Sequence, residues 1–449
     1  MTRLKIIFAN IPGDGHFNPL TSLAVHLKNV GHEVRWYTQN FYEEKIKSLG
    51  IPYYPFQTAL QLNHNNLNTV FPKRLNYKSQ LKRLNFDLEN VFVLRGPEFY
   101  DDLQRIYNNF PFDVMIADVG FTGIPFVQEK MGKPVLAIGV VPLIETSKDL
   151  PPYGLGLTPS KNIRGRAKQK ALRWLANKVL FGKVNRLFQN ILKQHGMAPT
   201  YTNVFDTMIR KSTLLLQSGT PGFEYKRSDL GKNIRFLGPL LPYRRKTEAN
   251  PFVFVRPPGY KKVILVTQGT VEKDVEKLIV PALEAFKNSD HLVVVTTGNS
   301  QTEDLRKRYP QPHFIIEDFI PFDVVMPYAD VYITNGGYGG VLLSIQHGLP
   351  MVVAGIHEGK NEINARIRYF KLGIDLKTET PRPEHIYKST LNILENTEYK
   401  RNVETLSREF KNFDPEKLCE RYVYEVTGIK HQENNVPQVS ASSNIPGTD

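Results

Sequence analysis

Short apolar runs rich in valine and isoleucine alternate with segments of helical spacing, and the alternation occurs in two separate stretches of the chain. In the first, residues 4–10, 34–38, 113–119 and 134–141 read as strands, with helical spacing over 19–30 and 124–131. In the second, 262–267, 291–297, 313–316, 331–334 and 351–354 read as strands, with a helix over 275–286. Short strand–helix–strand cycles argue for a parallel sheet wound by helices. The expected fold class is α/β, with two doubly wound domains facing across a cleft. Proline, glycine and basic residues cluster between them. The expected division is a first domain over 1–240, a linker over 241–258, a second domain over 259–428 and a polar tail over 429–449 with little to bury. Segment 57–82 is polar and irregular, and is expected to be a loop. Open sheets of this kind bind ligands beyond the C-terminal ends of their strands, which locates chemistry without naming it.

Charge narrows the class of partner. Lys and Arg number 58 against 44 Asp and Glu, a net charge of +14. The excess is concentrated: residues 161–193 hold ten basic residues and no acidic one, interleaved with leucine, valine and phenylalanine at spacings of three and four. That pattern predicts an amphipathic basic helix with one face in the core and either a solvated basic face or a face drawn to anionic lipid or to an acidic acceptor. No nucleic-acid-binding motif accompanies it, so nucleic acid is not an expected partner. A single cysteine, Cys419, excludes a disulfide framework and a multi-thiolate metal site, and fits a reducing compartment. No apolar run reaches the ~18 residues of a spanning helix. The run after Lys5 is too short for a signal-peptide core. The expectation is a cytoplasmic protein, with a peripheral contact to anionic membrane through residues 161–193.

The first strand runs into Pro12-Gly13-Asp14-Gly15-His16-Phe17-Asn18-Pro19. Gly13-x-Gly15 begins like a dinucleotide fingerprint, but Asn18 stands where its third glycine belongs, which disfavours a nicotinamide or flavin enzyme. His16 sits beside a predicted helix start at Pro19, where free N–H groups suit an anionic or hydroxyl-bearing ligand. Imidazole titrates near neutrality and is suited to proton removal. A base histidine needs an acceptor on its other nitrogen, and Asp118, ending the strand Val114-Met115-Ile116-Ala117, points toward the same crevice.

The second domain carries the more specific signal. Its strand Asp330-Val331-Tyr332-Ile333 leads into Thr334-Asn335-Gly336-Gly337-Tyr338-Gly339-Gly340 and then a helix. Four glycines in five residues let backbone N–H groups approach a ligand closely, and with a helix N-terminus they form a diphosphate cradle. A second turn, Thr267-Gln268-Gly269-Thr270, ends the first strand of this domain and adds donors. Phe319-Ile320-Pro321 precedes the cluster; Gly348-Leu349-Pro350, Glu358-Gly359-Lys360-Asn361-Glu362 and Asn364-Ala365-Arg366 follow it. These segments in this order resemble glycosyltransferase family 1, the UDP-glycosyltransferase superfamily, and within it a bacterial macrolide and natural-product subgroup with Asn-Gly-Gly-Tyr-Gly and Glu-x-Lys-x-Glu. The resemblance runs from Ile6 to about Leu376.

The resemblance implies a GT-B architecture, with an acceptor-binding first domain and a nucleotide-sugar-binding second domain. It implies an inverting, metal-independent hexosyltransferase that moves a sugar from a UDP- or TDP-sugar to a hydroxyl of a small lipophilic acceptor, with no permanently bound cofactor. His16 corresponds to the general base and Asp118 to its orienting partner. Gly15, Thr270, Asn335, Gly336, Gly337, Gly339 and Gly340 correspond to the diphosphate contacts, Phe319 to the base-stacking aromatic, and Glu358 and Lys360 to sugar contacts. The chain departs from the family at Asn335, where a histidine is common, and at Leu343, where a ribose-binding glutamate is common. Two other readings stand beside this one: a GT-B nucleotide-sugar epimerase, and a non-catalytic nucleotide-sugar-binding auxiliary protein.

Overall fold

The computed structural model describes residues 2–62, 66–243, 254–269 and 272–429. Two parallel sheets form its frame. The first has seven strands in the order β3-β2-β1-β4-β5-β6-β7: β1 (Lys5–Ala9), β2 (Glu33–Thr38), β3 (Tyr53–Pro55), β4 (Val114–Asp118), β5 (Val135–Gly139), β6 (Leu214–Ser218) and β7 (Ile234–Gly238). The second has six in the order β10-β9-β8-β11-β12-β13: β8 (Val263–Thr267), β9 (Leu292–Thr296), β10 (Phe314–Glu317), β11 (Val331–Thr334), β12 (Met351–Val353) and β13 (Gly373–Asp375). Helices cover both faces of each, which is why strands such as Val-Ile-Leu-Val-Thr and Leu-Val-Val-Val-Thr are apolar throughout. Along β1 and β4, Ile7, Ala9, Met115 and Ala117 face one core, while Ile6, Phe8, Val114 and Ile116 face the other. The strand order reverses between β1 and β4 and again between β8 and β11, and ligands bind at such switch points.

Three segments differ from the sequence expectation. Residues 57–82 are not a continuous loop: they contain a helical turn at Leu67–Val70, a 3-10 turn at Pro72–Asn76 and the start of a helix at Gln80–Asp87. The basic stretch is two helices, Ile163–Leu175 and Gly182–Gln194, separated by a π-turn at Ala176–Leu180 and a non-helical Phe181. Only the second inserts an apolar face into the core, through Val184, Phe188, Ile191 and Leu192. Finally, the helix Pro415–Thr427, assigned from sequence to the second domain, packs in the first. Leu418, Cys419, Tyr422 and Val423 share a core with Leu20, Leu23 and Leu27, and Glu420 meets His26 at 2.7 Å. An apolar stripe on the Asp14–Asn29 helix, not chain order, decides where that helix docks. Of the expected linker, residues 241–243 and 254–258 are described, and of the tail only Ile429. Among the described residues no helix is long and apolar enough to cross a membrane.

The two domains are joined by a buried ionic cluster. Arg366, on the helix Lys360–Tyr369, reaches Glu224 of the first domain at 2.8 and 3.1 Å and Glu362 on its own helix at 3.3 Å. Its guanidinium lies 4.5 Å over the Tyr225 ring. Burial works against the charge, but Glu224, Tyr225 and Glu362 outweigh it and hold the Arg366 pKa above its usual value. Glu362 in turn accepts the Gly154 and Gly156 N–H groups, both at 2.8 Å. Removing Arg366 leaves the buried Glu224 with the longer 3.9 Å contact to Arg227, and losing one partner of a buried pair costs about 3–5 kcal/mol. Arg366→Met is therefore expected to lower the urea unfolding free energy by about that amount. Adding Glu224→Gln, which keeps a side-chain acceptor for the Leu143 N–H, is expected to recover part of the loss.

Candidate functional site

His16 sits in the first turn of the Asp14–Asn29 helix, which begins at Asp14 and not at Pro19 as its spacing suggests. Pro19 lies inside it and lacks the N–H that would reach the Gly15 carbonyl. Gly13 caps the helix with φ 151°, and a Cβ there would lie 3.1 Å from the His16 ring. A side chain at position 13 would therefore push the imidazole aside. The loop is fastened from outside: the Gly13 N–H donates to the Tyr42 hydroxyl at 3.1 Å, and the Tyr42 ring stacks on Phe17 with centroids 4.4 Å apart.

Asp118 is fully buried at the C-terminal end of β4, adjacent to β1. One carboxylate oxygen accepts the Ile11 N–H at 2.8 Å, and the other accepts the Gly120 N–H at 2.9 Å. That second oxygen also lies 2.9 Å from His16 Nδ1. A carboxylate can only accept from the ring, so Nδ1 donates to it, and in the neutral imidazole the lone pair is then on Nε2. Among the described residues Nε2 has no hydrogen-bond partner, and His16 lines an open cleft of about 1200 Å³ between the domains. Such an imidazole can accept a proton from a hydroxyl in that cleft, and the resulting charge would be offset by the aspartate behind it.

The facing wall comes from the ends of β8 and β11. The Asn335 side-chain amide donates to the Gln268 carbonyl and so ties the two glycine turns together. Gly336 has φ 87°, and a Cβ there would sit 1.9 Å from Asn364 Oδ1; it backs the turn and does not line the cleft. Gly337 caps the helix Tyr338–Gln346. The first N–H groups of a helix have no internal partner and carry its positive dipole end. Gly337, Gly339 and Gly340 present this end to the cleft, with no side chain in the way. Tyr338 is buried, and its hydroxyl donates to the Ser218 carbonyl of the first domain at 2.9 Å.

The remaining expected residues spread along the same cleft. Gly15, Asn335, Phe319, Glu358 and Lys360 all line it. Phe319 is 65% exposed, and its ring offers an apolar face to a planar ligand. Glu358 adopts a left-handed backbone, φ 55°, and accepts from Lys360 Nζ at 2.8 Å. Glu379 braces this turn by accepting the Ile356 and His357 N–H groups at 2.6 and 2.8 Å. His347 does not line the cleft, and burial lowers its pKa. Thr270 lies outside the described residues. Tyr243 from the linker, Ser218 at the end of β6, Thr296 at the end of β9 and Gly298 just after it also line the cleft and were not singled out in the sequence. For Ser218, Thr296 and Gly298 the only sequence signal is position at or just beyond a strand end. Among the described residues no group of three or more His, Cys, Asp or Glu could hold a metal ion.

Residues 281–418 match the family model described as the C-terminal domain of erythromycin biosynthesis protein CIII-like proteins. The 4'-demethylrebeccamycin synthase of Lentzea aerocolonigenes is 30% identical over 407 residues, covering 90% of this chain and 95% of its own. UDP-glycosyltransferase 2 of Phaeomoniella chlamydospora is 27% identical over 431 residues, covering 91% of this chain and 92% of its own. The structure of the calicheamicin glycosyltransferase CalG4 superposes with a TM-score of 0.73 at 18% identity, over 95% of this chain and 99% of that one. The fold is therefore GT-B, as the resemblance implied. With the match to the demethylrebeccamycin synthase extending over both domains, the chain belongs to glycosyltransferase family 1, the UDP-glycosyltransferase superfamily with its natural-product branch, and is a glycosyltransferase.

Proposed function

We propose that this glycosyltransferase moves a hexose from a UDP- or TDP-sugar to a hydroxyl of a small lipophilic acceptor, with inversion at the anomeric carbon. The observation that carries the reading is the His16 Nδ1–Asp118 Oδ1 contact of 2.9 Å, set in the same cleft as the glycine turn of the second domain. The acceptor hydroxyl gives its proton to His16 Nε2 as its oxygen bonds to the anomeric carbon. The bond from that carbon to the diphosphate oxygen breaks, and its electron pair leaves with the nucleotide. Attack from the face opposite the leaving group inverts the centre. The new imidazolium is balanced by Asp118 and returns its proton to water.

Charge developing on the diphosphate is met by backbone N–H groups at the start of the Tyr338–Gln346 helix, through Gly337, Gly339 and Gly340. In this reading no metal ion is required. Gly15 and Asn335 border the phosphates, Gly336 shapes the turn from behind, and Thr270 remains a candidate phosphate contact on sequence alone. Phe319 stacks on the nucleobase. Glu358 and Lys360 bind sugar hydroxyls, held in place by Glu379. Relatives named for UDP-sugar chemistry, and a spinosyn rhamnosyltransferase structure complexed with thymidine diphosphate, support a nucleotide-sugar donor. An oriented imidazole with an open Nε2 has a task in transfer and none in a silent binding partner.

The reading is tested by incubating the protein with UDP-glucose, UDP-N-acetylglucosamine or TDP-sugars and a panel of polyphenol and macrolide acceptors. New β-glycosides and free nucleotide are expected, and release of neither product with any pairing would refute it. General-base removal costs about 10²–10⁴-fold, so His16→Ala is expected to lower kcat at least about a hundredfold with donor binding nearly unchanged. Unchanged turnover would take His16 out of the mechanism. Stacking on an aromatic contributes roughly 1–3 kcal/mol per base, so Phe319→Ala is expected to raise donor KM roughly tenfold or more with a smaller effect on kcat. Steady-state kinetics with the donor varied would read that split.

A further inference from the structure

The two helices of the basic stretch treat their apolar residues differently. Gly182–Gln194 buries its apolar side in the first domain. Ile163–Leu175 turns its apolar side outward. Ile163, Ala167 and Trp174 recur at spacings of four and seven, which places them on one helical stripe. That stripe faces solvent: Ile163 is 86% exposed and Trp174 62%, and Val179 on the following π-turn is 57% exposed. Residues of this kind ordinarily lie inside a fold or against a partner, and a contiguous exposed set marks a contact surface.

The charges around the stripe say what kind of surface. Arg164, Lys168, Lys170 and Lys178 are exposed on the same segment, and no acidic residue occurs between 161 and 193. Within that stretch Lys183 pairs with Glu89, and Arg173 donates to the Leu150 carbonyl. Among the described residues, no carboxylate lies within ion-pair distance of the four cations flanking the stripe. Unpaired cations around exposed tryptophan and aliphatic side chains are complementary to an interface that is anionic at its surface and apolar just beneath. Nucleic acid supplies the anionic half of that description only, since its phosphates do not reward exposed isoleucine and valine. A second copy of this chain would bring the same positive charge against itself.

We propose that residues 163–179 form a docking face for anionic phospholipid bilayers, with Trp174, Ile163 and Val179 entering the interface and the flanking Lys and Arg side chains holding the headgroups. None of residues 163–179 lines the cleft that holds His16 and Gly337–Gly340, so the face can be altered without touching the cleft lining. If the acceptor is lipophilic, as in the reading above, the bilayer is also where that acceptor partitions. The docking itself does not depend on that reading.

The chain contains two tryptophans, and Trp36 is fully buried, so emission changes on lipid binding report on Trp174. Full-length protein is titrated with vesicles of phosphatidylcholine alone or of phosphatidylcholine with phosphatidylglycerol, at low and high salt. The expected result is a blue shift and co-sedimentation with the anionic vesicles, both suppressed by salt as surface charge is screened. Arg164→Glu combined with Lys170→Glu is expected to reduce partitioning at least tenfold, and Trp174→Phe to abolish the shift, with glycosyl transfer to a water-soluble acceptor unchanged. Equal binding to neutral vesicles, or no binding at low salt, would overturn the proposal. So would dimerisation abolished by Trp174→Ala, or salt-sensitive binding to an oligonucleotide without vesicle binding.

Discussion

The geometry of the site depends on one buried carboxylate. Asp118 ends β4, and β4 lies beside β1, so the aspartate is delivered beneath the loop that follows β1. Two backbone N–H groups and one imidazole nitrogen satisfy it. A carboxylate with no exposed surface is tolerated only when hydrogen-bonded in this way. The same bonds that make its burial possible also fix the loop and select the histidine tautomer. Gly13 leaves room for the ring, and Tyr42 holds the loop from the far side. Parallel pairing of two adjacent strands thus does the work of aiming a side chain.

Facing that arrangement is a wall made almost wholly of main chain. The turns after β8 and β11 are bridged by Asn335, and the helix beginning at Tyr338 brings its N-terminus to the cleft. Tyr338 joins this wall to the first domain by donating to the Ser218 carbonyl, and the Glu224–Arg366–Glu362 cluster joins the domains a second time. Buried charge is a costly means of attachment, but it is directional and demands a definite pairing. Both connections end on elements that carry cleft residues: β6 and the helix that follows Glu358. Relative placement of the two walls is therefore constrained by these polar contacts together with Phe223, which enters the apolar core of the second domain.

Surface charge follows a different logic from the cleft. On the 163–179 segment, exposed cations with no carboxylate at ion-pair distance among the described residues lie beside an exposed apolar stripe. The break at Phe181 separates this outward-facing helix from one that belongs to the core. A single amphipathic pattern in the sequence thus divides into a structural half and a surface half.

Much of the fold was legible because strands buried on both faces must be apolar throughout, and this leaves a strong local signal at β1, β4, β8, β9 and β11. The glycine turns were legible for a related reason, since close backbone approach excludes side chains. Asp118 could be nominated because it ends such a strand, and His16 because it lies in the glycine turn that follows one. Tertiary structure alone decided the rest. It determined that Pro415–Thr427 returns to the first domain, that Gly336 supports the turn from behind, and that Asn335 spends an amide proton on Gln268. It also determined that Tyr243, Ser218 and Thr296 border the cleft. Local sequence carries propensity and periodicity, which act over a few residues. These placements depend on which surfaces meet after the chain has folded, and no short stretch of sequence encodes its distant neighbour.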